Sequence, residues 1–389
     1  MSNAKSLMFL GTGSDVGKSV LAAAFCRIFK NEGYRVAPFK AQNMALNSFI
    51  TPQGGEMGRA QVVQAEAAGI EPHVDMNPIL LKPTSQMGSQ VIVLGRAIGN
   101  FSAKDYYEYK KELVPIVRGA FERLCAQNDL VVMEGAGSAV ELNLKGHDLV
   151  NMAMAEMAGA KCILVGDIDR GGIFAALLGT LSLLEAGERD RVIGFIVNKL
   201  RGDPRLFEDG VQILQLRSGV PVFGVVPYFE NISLPEEDSV ALGRRMGKAR
   251  TKTAPCSIRI GIVRLPFISN YTDFNPLENI PGVGVSYLSE PAAPVDLLII
   301  PGTKNTLGDL QWLRARQFER FIAVFRRQDL ISFLLEKTTA TFSYYSLIIN
   351  DQNGLHAVSY EVKKAWTGLG FNRKPVSLFR TLQRQYHSE

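Results

Sequence analysis

Gly11-Thr12-Gly13-Ser14-Asp15-Val16-Gly17-Lys18-Ser19 is the stretch from which the rest of the chain can be read. An apolar run, Leu7-Met8-Phe9-Leu10, leads into it, and a helical pattern starting at Val20 leads out. Strand, glycine-rich turn and helix form the context that a phosphate-binding loop needs. Glycines let backbone N–H groups close on an anion, and a helix N-terminus adds favourable partial charge. Lys18 is then placed to reach β- and γ-phosphates, and the Ser19 hydroxyl to ligate Mg²⁺. The loop is one residue longer than the common pattern. Where that pattern has its first glycine this chain has Thr12, and the flanking glycines are Gly11 and Gly17. A glycine-rich turn that carries Gly-Lys-Ser by coincidence is the competing reading. The strand–loop–helix context argues against it.

Outward from the loop, apolar runs alternate with helical patterns. Residues 35–39, 91–94, 130–133, 162–166, 192–198 and 222–226 read as strands, and 57–68 and 106–126 as helices. The strands are continuous apolar runs, as parallel strands buried on both faces are. Strand–helix alternation predicts an α/β fold with a doubly wound, mostly parallel sheet over residues 5–235. The polar, charged segment 236–256 reads as a linker. A strand at 258–263 opens a second α/β unit, and a strand at 295–300 runs into the turn Pro301-Gly302-Thr303-Lys304-Asn305-Thr306.

Composition narrows the classes of function. Hydrophobic residues make up 46% and charged residues 21% of 389, as in ordinary globular chains. No apolar run is long enough to cross a membrane, and the run before Gly11 is too short for a signal peptide. Cys26, Cys125, Cys162 and Cys256 are scattered, with neither zinc-ligand nor disulfide spacing, which fits a reducing cytoplasm. The net charge of +5 is uneven. Residues 314–389 hold 12 Lys/Arg against 6 Asp/Glu, so the body before them gives no electrostatic reason to expect nucleic acid.

Several residues at predicted strand ends carry chemistry. Glu134, in Glu134-Gly135-Ala136-Gly137, follows the strand at 130–133. An acid there sits where open α/β sheets bind ligands, and beside a phosphate loop its natural task is to hold Mg²⁺. Glu56 is a candidate second metal ligand, or an acid facing a helix dipole. Lys40 closes the second strand, where it can steer a carboxylate or phosphate or simply be solvated. Asp167, Asp169 and Arg170 follow a further strand, and an Arg fork suits carboxylate or phosphate. Asn198 can present its amide to a nucleotide base.

Together these stretches resemble the cobyric acid synthase family, ATP-dependent amidases of cobalamin biosynthesis. The resemblance runs from about residue 5 to 313 and is carried by 11–19, 39–44, 55–61, 76–83, 134–137, 166–174, 198–203, 234–239 and 301–313. It implies a phosphate-loop domain similar to dethiobiotin synthetase. It further implies ATP-driven amidation of the b, d, e and g carboxylates of adenosylcobyrinic acid a,c-diamide, a corrinoid, through acyl phosphates. Ammonia would come from glutamine, released by a C-terminal class I glutaminase domain. By the same resemblance, Gly13, Asp15, Val16, Gly17, Lys18, Ser19 and Val20 hold the phosphates of ATP, and Asn198 lies near adenine. Ser19, Glu56 and Glu134 surround Mg²⁺, while Lys40 and Asp169 lie near the substrate. A homo-oligomer is compatible with this reading.

The chain departs from the family toward its end. The glutaminase needs a Cys on a tight, glycine-flanked elbow, yet the last cysteine is Cys256 and no glycine occurs between Gly308 and Gly354. The expectation is therefore that 257–325 starts that domain, that the reading frame is disrupted near 316–327, and that 326–389 is a divergent tail. Free ammonia, or a partner glutaminase acting on glutamine, would then supply the nitrogen. Rival readings are a partitioning-type ATPase, a related carboxylate amidase and a non-catalytic ATP-binding remnant. The first carries an extra lysine where this chain has Gly13.

Overall fold

The computed structural model describes residues 4–84, 88–229, 258–278, 280–291 and 295–327, together with the strands at 332–336, 344–348 and 358–359. The expected linker 236–256 and most of 326–389 lie outside the described residues. The chain divides into two compact units, residues 1–237 and 238–389.

The first unit begins with β1 (Lys5–Gly11), α1 (Lys18–Asn31) and β2 (Val36–Phe39). Three short strands, β3 (Gln42–Met44), β4 (Ser48–Ile50) and β5 (Glu56–Gly58), precede α2 (Arg59–Ala68). Next come β6 (Ile79–Pro83), β7 (Gly88–Val93), β8 (Arg96–Ser102) and the long α3 (Ala103–Gln127). The unit closes with β9 (Leu130–Glu134), α4 (Met152–Met157), β10 (Lys161–Asp167), α5 (Ile173–Leu183), α6 (Ala186–Arg189), β11 (Val192–Leu200), α7 (Glu208–Ser218) and β12 (Val222–Pro227).

Six of these strands form one sheet in the order β12-β11-β10-β1-β9-β2, and every neighbouring pair is parallel. Successive side chains of β1 point to opposite faces. Met8 and Leu10 pack with Leu113 and Val117 of α3 and Leu177 of α5, whereas Phe9 packs with Leu21, Ala22 and Cys26 of α1. Both faces are thus covered, which is why the strands carry unbroken apolar runs. Because all six strands run the same way, the residues following β1, β2, β9, β10 and β11 emerge along one edge.

Two expectations need correction. The strand expected at 91–94 belongs to β7, which lies in a separate four-stranded sheet, β3-β6-β7-β8, antiparallel to both β6 and β8. Leu94 and Gly95, at φ 43° and 80°, form a two-residue turn that reverses the chain. The helix expected from residue 57 starts at Arg59, because Glu56, Met57 and Gly58 pair with β4. Gly58 also donates its N–H to Asn77 Oδ1 at 2.9 Å and so stays extended.

The second unit has its own sheet, formed by β13 (Ile258–Val263), β14 (Val283–Leu288), β15 (Leu297–Ile300), β16 (Ser332–Glu336), β17 (Tyr344–Ile348) and β18 (Val358–Ser359). The order is β14-β13-β15-β16-β17-β18, with the last two pairings antiparallel. Ile260, Ile262, Leu298, Tyr271 and Phe318 form its core. The turn after β15 is pinned by buried Asp309, which accepts hydrogen bonds from Thr303 Oγ1 and the Phe267 N–H. The fold is α/β, with a mostly parallel sheet in the first unit.

Candidate functional site

The glycine-rich loop leaves β1 at Gly11 and enters α1 at Lys18. Gly17, the residue before the helix, has φ 98°, and Asp15 has φ 60°. A Cβ on Gly17 would also land on the Asn198 amide, so this position requires glycine for both conformation and space. Val16 is buried, and Val20 half-buried in the first turn of α1. Lys18 Nζ donates to the carbonyls of Gly13 and Gly137, each at 2.8 Å. Its ammonium is therefore held in the concavity of the loop, bridging to the segment after β9. Lys18 and Ser19 start the helix, where N–H groups and dipole favour an anion.

Glu134 ends β9, the strand between β1 and β2, and four side chains turn toward it. Ser19 Oγ donates to its Oε1 at 2.8 Å and Lys40 Nζ to the same oxygen at 2.9 Å. Gln64 Nε2 donates to Oε2 at 2.6 Å, and Gln61 Nε2 is 3.4 Å away. Glu134 and Lys40 are 2% and 5% exposed, so each charge depends on the other. Burial pushes the Glu134 carboxyl up. The charge of Lys40 and the hydrogen bonds from Lys40, Ser19 and Gln64 outweigh burial and hold it below its ordinary value.

The oxygens here suit a hard cation. Ser19 Oγ and Glu134 Oε1 are adjacent, and Gln64 Oε1 is buried with no hydrogen-bond partner. Among the described residues no group of three or more His, Cys, Asp or Glu gathers as a metal cage. A Mg²⁺ ion at Ser19 and Glu134 would complete its shell with phosphate oxygens and water, its usual habit.

Glu56 opens β5. It accepts hydrogen bonds from Ser48 Oγ at 2.5 Å and from Lys82, whose side chain is fully buried in β6 and also donates to Ser48 Oγ at 2.6 Å. A strand lysine and a serine are thus among its partners.

A second polar group collects at the ends of β10 and β11. Asp167 accepts from Lys199 Nζ at 2.8 Å and lies 3.5 Å from Arg170 Nε. Lys199 adopts φ 64° and also donates to the Asp15 carbonyl, while Arg170 reaches the Asp15 carboxylate at 3.2 Å. Asn198 is buried and donates to the Val16 carbonyl at 2.8 Å, fastening the loop to β11. Asp169 pairs with Arg201 at 2.6 Å, whose hydrogen bond and charge hold its carboxyl below the ordinary range. The Arg201 guanidinium in turn stacks 3.5 Å from the Tyr228 ring.

The structure therefore joins Lys18, Ser19, Lys40 and Glu134 in one cluster, and Asp15, Val16, Gly17 and Asn198 in the brace behind the loop. Gln61, Gln64, Lys82 and Lys199 were not singled out from sequence. Gln61 and Gln64 had a legible signal: two amides three residues apart on an alanine-rich helix share one face.

Known proteins resemble this chain closely. The model of the CobQ/CobB/MinD/ParA nucleotide binding domain matches residues 7–241, and that of the CobB/CobQ-like glutamine amidotransferase domain matches 259–333. A cobyric acid synthase from Syntrophobacter fumaroxidans is 69% identical over 324 residues, covering 83% of this chain and 63% of that protein. One from Sorangium cellulosum is 54% identical over 328 residues, covering 84% and 62%. The chain thus spans less than two thirds of the length of these relatives. A solved signal recognition particle receptor from Elizabethkingia anophelis, in complex with GDP, aligns over 56% of this chain and 55% of its own at 20% identity. The TM-score of that alignment is 0.33.

Proposed function

The chain belongs to the CobQ/CobB/MinD/ParA nucleotide-binding domain family, and from that premise we propose that it uses ATP and Mg²⁺ to activate carboxylates of adenosylcobyrinic acid a,c-diamide for amidation. One observation carries the proposal: Ser19, Lys40 and Gln64 converge on the buried Glu134 beside the loop that holds Lys18. The similarity to cobyric acid synthases supports the choice of substrate.

A carboxylate is a poor acyl donor because oxide is a bad leaving group. Its oxygen attacks the γ-phosphorus of ATP, ADP leaves, and the resulting acyl phosphate is attacked by ammonia with loss of inorganic phosphate. Such transfer is promoted by positioning and charge neutralisation, and no protein nucleophile is required. Lys18 and the loop N–H groups bind the β- and γ-phosphates. Ser19 and Glu134 would hold Mg²⁺, which neutralises phosphate charge when bound, and Glu56, paired with Lys82, is proposed as a further ligand. Lys40 holds Glu134 ionised and faces the incoming carboxylate. Asp169 lies toward the substrate side, and Asn198 shapes the loop beside the adenine.

The nitrogen source in this proposal is free ammonia. Between Pro301 and Gly354 the sequence holds no cysteine, and no glycine after Gly308, so the elbow a glutaminase needs is not found there. The domains follow as 5–235 for the synthetase and 257–325 for the start of the amidotransferase-like unit. The test is a mass-resolved amidation assay with ATP, Mg²⁺ and the a,c-diamide, with ammonium in one tube and glutamine in the other. Product with ammonium alone is expected. Product with glutamine as well refutes the view of the nitrogen source. ADP and amide absent from both tubes refutes the ligase reading.

A further inference from the structure

Beside the phosphate loop the first unit encloses a cavity of about 590 Å³. Strands β7 and β8, the first turns of α3 and the segment after Glu134 supply its walls. Gly137, whose carbonyl accepts from Lys18, is one of the wall residues. The cavity thus opens on the same backbone that positions the phosphate-reaching lysine. Much of its lining is apolar, from Val91, Phe101, Val140 and Leu142.

Into this apolar setting the chain brings Lys110, one turn along the cavity-facing stripe of α3 from Tyr106. Lys110 is half-buried, its ammonium 5.9 Å from the Tyr107 ring, and Tyr107 leans on His147 at 5.2 Å. Other shielded lysines are engaged: Lys18 by two carbonyls, Lys40 by Glu134, Lys82 by Glu56, Lys199 by Asp167 and Lys145 by Glu188. Lys110 has no salt bridge among the described residues. Asp148, an acid lining the same cavity, accepts from the N–H groups of Val150, Asn151 and Ala153 at the start of α4. Burial pushes the Lys110 pKa down, with Asp148 opposing. A desolvated cation on an apolar wall gains most from an anion that arrives with a ligand.

We infer that Lys110 is a specificity-determining residue that docks a non-reacting carboxylate of the substrate in this cavity, while a second carboxylate extends past Gly137 to the phosphate. The inference rests on the amidation reading, which calls for an amphipathic ligand with an apolar ring and several carboxylate arms. Apolar walls take the ring, and Lys110 reads an arm.

Equilibrium dialysis of the full chain with two corrinoids tests this, using the absorbance of the ring. One probe is the a,c-diamide with free carboxylates, the other the heptamethyl ester of cobyrinic acid, which has none. Loss of a charge-assisted hydrogen bond predicts that Lys110→Met weakens binding of the acid by about ten- to a hundredfold. It leaves binding of the ester unchanged, and Lys110→Arg retains most of the affinity for the acid. Binding of a non-hydrolysable ATP analogue confirms that each variant is folded. Equal affinity of Lys110→Met and wild type for the acid overturns the inference while the amidation reading stands. A wild-type chain that binds the ATP analogue but neither corrinoid overturns both.

Discussion

A carboxylate with 2% of its surface exposed persists as an anion only if its neighbours make it so, and at Glu134 Lys40 is the chief neighbour. Replacing Lys40 by Met leaves that charge buried without its partner. The expected loss is about 3–5 kcal/mol in urea unfolding, alongside loss of amidation. The pH dependence has a definite sign. The folded pKa of Glu134 lies below its ordinary 4.5, so its charge contributes stability that is complete above 4.5 and disappears as pH falls through the folded value. In Lys40→Met burial is opposed only by the hydrogen bonds from Ser19 and Gln64, and the carboxyl is expected to rise. The contribution then belongs to the protonated form, is present on the acid side and is lost as pH rises. Urea midpoints of both proteins at about pH 4 and about pH 7 reveal the difference. A variant that weakens on acidification as steeply as wild type contradicts this account of Glu134.

Elements deliver these residues, and the segment between β9 and α4 is the least regular of them. Its shape depends on Asn151, which accepts from the Ala136 N–H at 3.0 Å and donates to the carbonyls of Ala136 and Ser138 at 2.8 and 3.0 Å. Asn151→Ala strands these backbone groups. We expect a cost of about 1–3 kcal/mol and weaker binding of an ATP analogue, since Gly137 shares this segment with the Lys18 contact. Unchanged analogue affinity would separate the brace from the nucleotide site. Gly17→Ala acts on the loop itself and should abolish analogue binding, because φ 98° and the Asn198 amide both oppose a Cβ. Legibility from sequence follows the same division. The parallel strands and the loop were readable because local pattern alone dictates them. The β6–β8 ladder was not: β6 contains Lys82 and Pro83, and β8 is half-exposed, so neither shows a strand's apolar signature. Glu56 and Ser48, 26 and 34 residues before Lys82, make a buried lysine tolerable there. The Leu94-Gly95 turn was the available clue. The Gln64–Glu134 contact spans 70 residues, a pairing that no local window contains.

At the scale of the molecule, the proposed ATP site lies wholly within the first of two compact units. A non-hydrolysable ATP analogue at about a hundred times its Kd should stabilise that unit by about 2.7 kcal/mol. Differential scanning calorimetry, with Lys18→Ala as the control that no longer responds, checks this. An equal shift in the control would place the ligand elsewhere. The order β12-β11-β10-β1-β9-β2 has a further consequence, for the protein's birth. The first strand made lies inside the sheet and waits for neighbours that begin at residues 130 and 161, while the Asn198 brace comes later still. At about 5–20 residues per second a ribosome needs on the order of ten to forty seconds to reach that point. Until then the phosphate loop lacks the Asn198 brace, as it lacks Glu134 before residue 134 is made, and such long-range parallel pairing is slow to form. Nucleotide therefore cannot guide the early chain: it can capture only a sheet already assembled, and acts as a late proofreader of synthesis.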